Sequence, residues 1–148
     1  METTAPEKTA TRLAPAEVVR AAFAAYNRGE LEESRRYLAP DLEWVLPPSA
    51  LYGDVLRGPD ALVRLLKSEF EAFSQIRREP LELEEDGECV AGVVAEHARG
   101  RASGVELARR MHHCFLVRDG LIVRAETSKT PQPGGIATTP SQRGPSAL

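Results

Sequence analysis

A chain of 148 residues has room for one domain with a core and a cavity of its own. Its net charge of −3 excludes a nucleic-acid binder that works by neutralising phosphates, and no apolar run nears the roughly eighteen residues of a membrane span. Cys89 and Cys114 stand outside any C-x-x-C or His/Cys cluster, so two free thiols are expected, with no metal and no cofactor.

The start of the chain, METTAPEKTATRL, lacks the apolar core of a secretory signal, which makes a cytoplasmic location the expectation. Residues 1–13 and 131–148 are rich in Thr, Pro, Gly and Ser and read as disordered tails around a domain spanning 14–130. Pro15 suits the first turn of a helix. Val19, Phe23 and Tyr26 follow at helical spacing with Val18, Ala22 and Ala25 beside them, and Gly29 supplies a stop. A second helix is predicted from Glu30 to Leu38, then a short strand from Leu42 to Leu46 closed by Pro47-Pro48. Ser49 to Gly58 reads as a loop containing Tyr52. Pro59 opens a third helix with Leu62, Leu65, Leu66, Phe70 and Phe73 on one side.

From Ile76 the period changes. Leu81 and Leu83 alternate with Glu82 and Glu84, as in a half-exposed strand, and Asp86-Gly87 signals a turn. Cys89 to Arg99 is a long strand, and Gly100 to Gly104 connects it to the next. Three helices followed by antiparallel strands imply an α+β fold, a cone-shaped barrel in which helices pack on a curved, mostly antiparallel sheet and enclose a cavity.

The last stretch, Val105 to Thr127, reads as a β-hairpin about Asp119-Gly120, since both residues tolerate the positive φ of a type I′ turn. A regular hairpin then sets Val117 opposite Ile122, Phe115 opposite Arg124 and His113 opposite Glu126. Met111, His113, Phe115 and Val117 would share one face with Ile122, Arg124 and Glu126, and His112, Cys114 and Leu116 the other. Three ionisable groups on an otherwise apolar sheet face suit a ligand cavity better than a closed core. His112 and His113 diverge on a strand, which argues against a two-histidine metal site. Of Glu96 and His97 only one can face inward, and parity does not choose between them.

The stretches AAYNRGELE, PDLEW, LRGPDALVRLL and HCFLVRDGLIVR occur in the order helix pair, first strand, third helix and final hairpin. In this the chain resembles the SnoaL-like branch of the nuclear transport factor 2-like superfamily, from about Ala14 to Thr127. The resemblance implies the cone fold, a homodimer, and a place among polyketide cyclases, steroid isomerases, dehydratases, epoxide hydrolases and binding modules. Steroid-isomerase-like members put a carboxylate just before the proline that ends the first strand. Leu46 stands there in this chain, and no Arg-x-Asp pattern of the limonene-epoxide-hydrolase type is present. His113 falls where many members place a pocket histidine, and Tyr26 matches an aromatic that looks into the cavity.

The candidate catalytic pair is therefore His113 and Glu126, either an acid–base dyad or a structural ion pair. Arg124 could hold a carboxylate or phenolate, or neutralise Glu126. Tyr26 could donate to an oxyanion or belong to the core. Trp44, Met111 and Phe115 would form walls, and Tyr52 part of an entrance. Cys114, Leu116 and Val123 make the other sheet face apolar enough to bury in a homodimer. The expected function is small-molecule binding, with a cofactor-independent cyclase, isomerase or dehydratase acting by acid–base chemistry on an apolar oxygenated ring compound. The alternative is a non-catalytic ligand-binding or dimerisation module.

Overall fold

The computed structural model describes residues 13–46 and 55–128. The two predicted tails (apart from Leu13), the Pro47-Pro48 stop and Tyr52 lie outside the described residues. Helix α1 (Pro15–Asn27) begins on the expected proline, and the Glu17 side chain accepts a hydrogen bond from the Ala14 backbone N–H at 3.0 Å, the glutamate half of a capping box, which satisfies a donor at the helix start. Its stripe from Ala16 to Tyr26 is buried. Gly29, at φ +78°, turns the chain into α2 (Leu31–Arg35), where the Ser34 hydroxyl donates to the Ala22 carbonyl at 3.2 Å.

Helix α2 is shorter than predicted, because from Leu38 the backbone is claimed by a sheet. Strand β1 (Leu38–Val45) starts earlier than expected and runs parallel to the last strand, with Leu38 beside Ile122. The end of the predicted loop is a short strand, β2 (Val55–Arg57), antiparallel to β1. Gly58, at φ +84°, ties its N–H to the Leu42 carbonyl at 2.8 Å and hands the chain to α3 (Pro59–Ala72). Leu62, Val63 and Leu66 are the buried stripe of that helix.

Three long strands follow, β3 (Phe73–Asp86), β4 (Cys89–Gly100) and β5 (Glu106–Arg118), and then β6 (Leu121–Ser128). The sheet order is β2-β1-β6-β5-β4-β3. All neighbours are antiparallel except β1 and β6, so the sheet is mixed and open, and the helices cover one face in the expected α+β cone. A bulge in β3 sets Glu82 and Leu83 against Gly92 alone, with Glu82 at φ 53°; such bulges bend a strand and increase its twist. Among the described residues no helix is long and apolar enough to cross a membrane.

Candidate active site

The final hairpin turns at Asp119 and Gly120, both at positive φ (56° and 78°), as the type I′ reading requires. Arg118 then pairs with Leu121 and Val117 with Ile122. At the next step the regular register fails. Leu116 pairs with Arg124, Cys114 with Glu126 and His113 with Thr127, so Val123 is an extra residue in β6. The predicted His113–Glu126 dyad is therefore corrected: the two side chains lie on opposite faces of the sheet. Without this bulge, Arg124 and Glu126 would be pressed against Phe115 and His113 inside the cone, and burying such charges unpaired is costly. With it, Ala125 and Thr127 take the inner places and are buried.

Arg124 is corrected likewise. It sits on the outer face and donates to Glu43 at 3.0 Å, which also accepts from Arg57 at 2.6 Å. It neither faces the cavity nor neutralises Glu126. Glu126 is half-buried on that same outer face. There, burial first and Glu126 second raise the Cys114 thiol above its ordinary range.

The inner face holds Trp44, Met111, His113 and Phe115, and Tyr26 faces the same cavity from α1. A cavity of about 610 Å³ between α1, α3 and the sheet is lined by Tyr26, Trp44, Met111 and His113 among others, with Phe23, Leu62, Leu65, Leu66 and Ile122 as apolar wall. Leu46, in the place of the steroid-isomerase carboxylate, is one more aliphatic side chain on that lining. Phe115 is 2 % exposed and sits behind His113, the two rings stacked at 5.4 Å and 12°. Phe23 and Trp44 meet His113 edge-on at 6.2 and 6.4 Å. The Trp44 indole N–H donates to Thr127 Oγ1 at 3.2 Å, which fixes the indole across the strand pair from His113.

Among the described residues no carboxylate bonds His113, and its Nδ1 is sealed in protein without a hydrogen-bond partner. Burial, and secondarily the positive charge of Arg78, push its pKa down to about 3. The ring is thus a neutral imidazole, with one nitrogen a donor and the other an acceptor. His112 points to the opposite face, as expected, but is itself only 7 % exposed.

A second polar assembly lies at the other end of the cavity. Asn27, at the end of α1, clamps the Arg78 backbone with two hydrogen bonds of 2.7 and 2.8 Å. This brings Tyr26 and Arg78 together, the guanidinium lying 5.1 Å from the phenol ring centroid. Arg78 donates to both oxygens of Glu69 at 3.0 and 3.2 Å and to Glu96 at 2.8 Å. The Tyr26 hydroxyl donates to Glu69 at 3.3 Å, and Arg109 Nε to the other Glu96 oxygen at 2.6 Å. Burial alone would raise the Glu96 carboxyl, but Arg78 and Arg109 hold it below the ordinary carboxylate range. Burial also raises the Tyr26 phenol, with Arg78 partly opposing. Tyr26 remains a protonated donor.

This network answers the Glu96/His97 question, since Glu96 is 1 % exposed and His97 is exposed. Besides Tyr26, already a candidate, its members Glu69, Arg78 and Arg109 went unread in the sequence, although spacing pointed to them. Arg109 precedes Met111 and His113 by twos on the same strand face, Arg78 shares the parity of Ile76, and Glu69 continues the Leu62–Leu66 stripe. Among the described residues, no three His, Cys, Asp or Glu side chains gather as a metal cluster.

A helix-covered open sheet around a lined cavity defines the nuclear transport factor 2-like class of α+β cones. Within it, the profile of the SnoaL-like domain matches residues 19–125, and the chain belongs to that family. Solved structures agree on the fold. A nuclear transport factor 2-like protein of unknown function from Burkholderia pseudomallei superposes with a TM-score of 0.70 at 21 % identity, covering 78 % of this chain and 89 % of that one. IdmH, a proposed polyketide cyclase from Streptomyces antibioticus, gives 0.69 at 21 %, with 78 % and 91 % covered. TerC, crystallised with polyporic acid, gives 0.68 at 23 %, with 77 % and 90 % covered. No curated protein matches the chain in sequence.

Proposed function

We propose that this SnoaL-like protein binds a largely apolar, oxygenated ring compound in the cone. One observation carries the reading: a cavity of about 610 Å³, the size of small-molecule sites, has apolar and aromatic walls with the neutral imidazole of His113 on its lining. The edge of the imidazole that lines the cavity offers a ligand hydroxyl or carbonyl one hydrogen bond. The polyketide-cyclase description of IdmH and the polyporic acid bound to TerC accord with it.

The enzyme reading, a cofactor-independent isomerase, cyclase or lyase, takes a different form from a His–Glu dyad. A base that gains a proton only near pH 3 is mismatched to proton abstraction at neutral pH. Arg78 is already paired with Glu69 and Glu96, so the group left to face negative charge on a ligand oxygen at this end is the neutral imidazole of His113. Catalysis here would rest on stabilising an enolate or oxyanion, with His113 as a neutral donor.

The chain's single tryptophan is Trp44, on the cavity wall, so its indole N–H gives one nuclear magnetic resonance signal from the site. Titration of ¹⁵N-labelled protein with 2-naphthol is expected to shift that signal saturably. An indole signal unmoved up to millimolar 2-naphthol sinks the binding reading. The reading also includes a homodimer formed through the outer sheet face, where Cys114 and Leu116 are half-buried.

A further inference from the structure

The cavity has two polar ends, and they differ in kind. At the inner end His113, neutral and 4 % exposed, lines the cavity. At the outer end Arg109 lines the cavity with a side chain 44 % exposed. Arg78 cannot serve a ligand as an anchor: Nε and both terminal nitrogens already bond Glu69 or Glu96. Arg109 is held through Nε alone, at 2.6 Å from Glu96, and its two terminal nitrogens take no partner among the described residues. Glu96 thus fixes one edge of the Arg109 guanidinium and leaves donors of the planar fork available, the geometry that receives a carboxylate or an acidic enol or phenol.

Charge and depth agree on which ligand end goes where. An anionic oxygen is cheaper to place at a half-exposed rim than in a dry interior, where ionised groups lose their hydration. The neutral imidazole at the inner end suits an uncharged hydroxyl or carbonyl. Arg109, Met111 and His113 follow by twos along one face of β5, and strand rise puts the Cα atoms of Arg109 and His113 roughly 13 Å apart. Allowing for the reach of the Arg109 side chain, two fused or linked rings bridge that interval. Met111 lies between them on the strand, and Leu65 and Leu66 of α3 also line the cavity, which offers such rings apolar contact.

We propose that Arg109 is the specificity-determining residue of the cavity: it selects flat two-ring ligands that carry an acidic oxygen at one end and a neutral oxygen at the other, seated with the acid at the rim and the neutral oxygen at His113. The inference rests on the binding reading given above and adds the ligand's chemistry and orientation. It also explains why Glu96 is buried at the base of the network, since Glu96 positions Arg109 as well as balancing Arg78.

The test compares 2-naphthol with 6-hydroxy-2-naphthoic acid, at a pH where the acid is ionised, by following the Trp44 indole signal and calorimetric affinity. Charge-assisted bonds to one carboxylate are expected to favour the acid roughly ten- to hundred-fold. Arg109→Gln is expected to bring the affinities of the two probes within about threefold of each other. Arg109→Lys keeps the charge against Glu96 and loses the fork, so it serves if the Gln variant does not fold. It is expected to forfeit at least severalfold of the preference. Equal affinity of the two probes for the wild-type protein, or an acid preference that survives both substitutions, overturns the role of Arg109 while the binding reading stands. Failure of both probes to move Trp44 removes the binding reading and this inference together.

Discussion

His113 enters the fold without a proton, and that leaves a signature in stability. Its pKa lies at about 3 in the native protein against 6.5 ordinarily, because burial and then Arg78 disfavour the imidazolium. Between those values the unfolded chain binds more protons than the native one. Stability therefore rises with pH across the window, is complete above it, and is lost as pH falls through it. One proton gives a slope of at most about 1.4 kcal/mol per pH unit. The upper part of the window, from about pH 5 to 6.5, separates this contribution from that of Glu96, a depressed carboxylate whose stabilisation is lost only at lower pH. His113→Phe, which places another ring among Phe23, Trp44 and Phe115, is expected to flatten the dependence in urea unfolding series at several pH values. An unchanged slope in that variant would assign the proton to another group. At this scale the sequence located His113 on the inner face, but the neutral state was not legible in it. The absence of a carboxylate partner depends on one inserted residue in the neighbouring strand.

That insertion shows what strand-level patterning can and cannot specify. Helix α1, helix α3 and the last turn were readable because Pro15, Pro59 and Asp119-Gly120 act locally and their apolar stripes are long. The β6 bulge at Val123 was not, since a regular hairpin and a bulged one share the same turn and differ only in which charges end up inside. The presence of Arg124 and Glu126 among apolar neighbours was the available signal: a strand with charges on its inner parity is a candidate for a register shift. Helix α2 was overestimated for a related reason, its last residues being taken by parallel pairing with a strand more than eighty positions away in sequence. The β3 bulge has a more direct consequence. A Cβ on Gly92, opposite His113, would stand 2.6 Å from Leu83 Cδ2, 3.0 Å from the Leu81 carbonyl oxygen and 3.1 Å from that of Glu82. The leucine tip can turn away, whereas the two carbonyls belong to the bulged backbone. Gly92→Ala is expected to cost about 1–3 kcal/mol, measurable as a lower denaturation midpoint at unchanged slope. A midpoint equal to wild type would mean that β3 yields there without cost.

Across the whole molecule the sheet divides two tasks between its faces. The inner face carries the cavity, with Met111, His113 and Phe115 buried against the helices. The outer face carries Ala91, Ala95, Cys114 and Leu116, all half-buried, together with the Glu43–Arg124 and Glu43–Arg57 ion pairs near its β1–β2 edge. Charged residues flank this apolar strip on both sides, Arg124 and Glu126 of β6 beside Leu116 and Cys114, and Glu79 and Glu84 of β3 beside Ala95 and Ala91, the plan of an interface whose dry centre is rimmed by polar groups. Isologous pairing of this face with its copy would bury Leu116 against a second sheet. Light scattering of the eluting protein is then expected to give about twice the 16.2 kDa chain mass, and Leu116→Glu to return it to the monomer, because a carboxylate there, even with Arg124 beside it, would have to be desolvated at the centre of the face. A wild-type chain that elutes as a monomer, or a Leu116→Glu variant that remains dimeric, removes this face from the account. Leu116 lies between Phe115 and Val117 and so projects away from the cavity. The monomeric variant should therefore still shift the Trp44 signal with 2-naphthol; loss of that shift together with the dimer would mean that the cone holds its shape only when its outer face is covered.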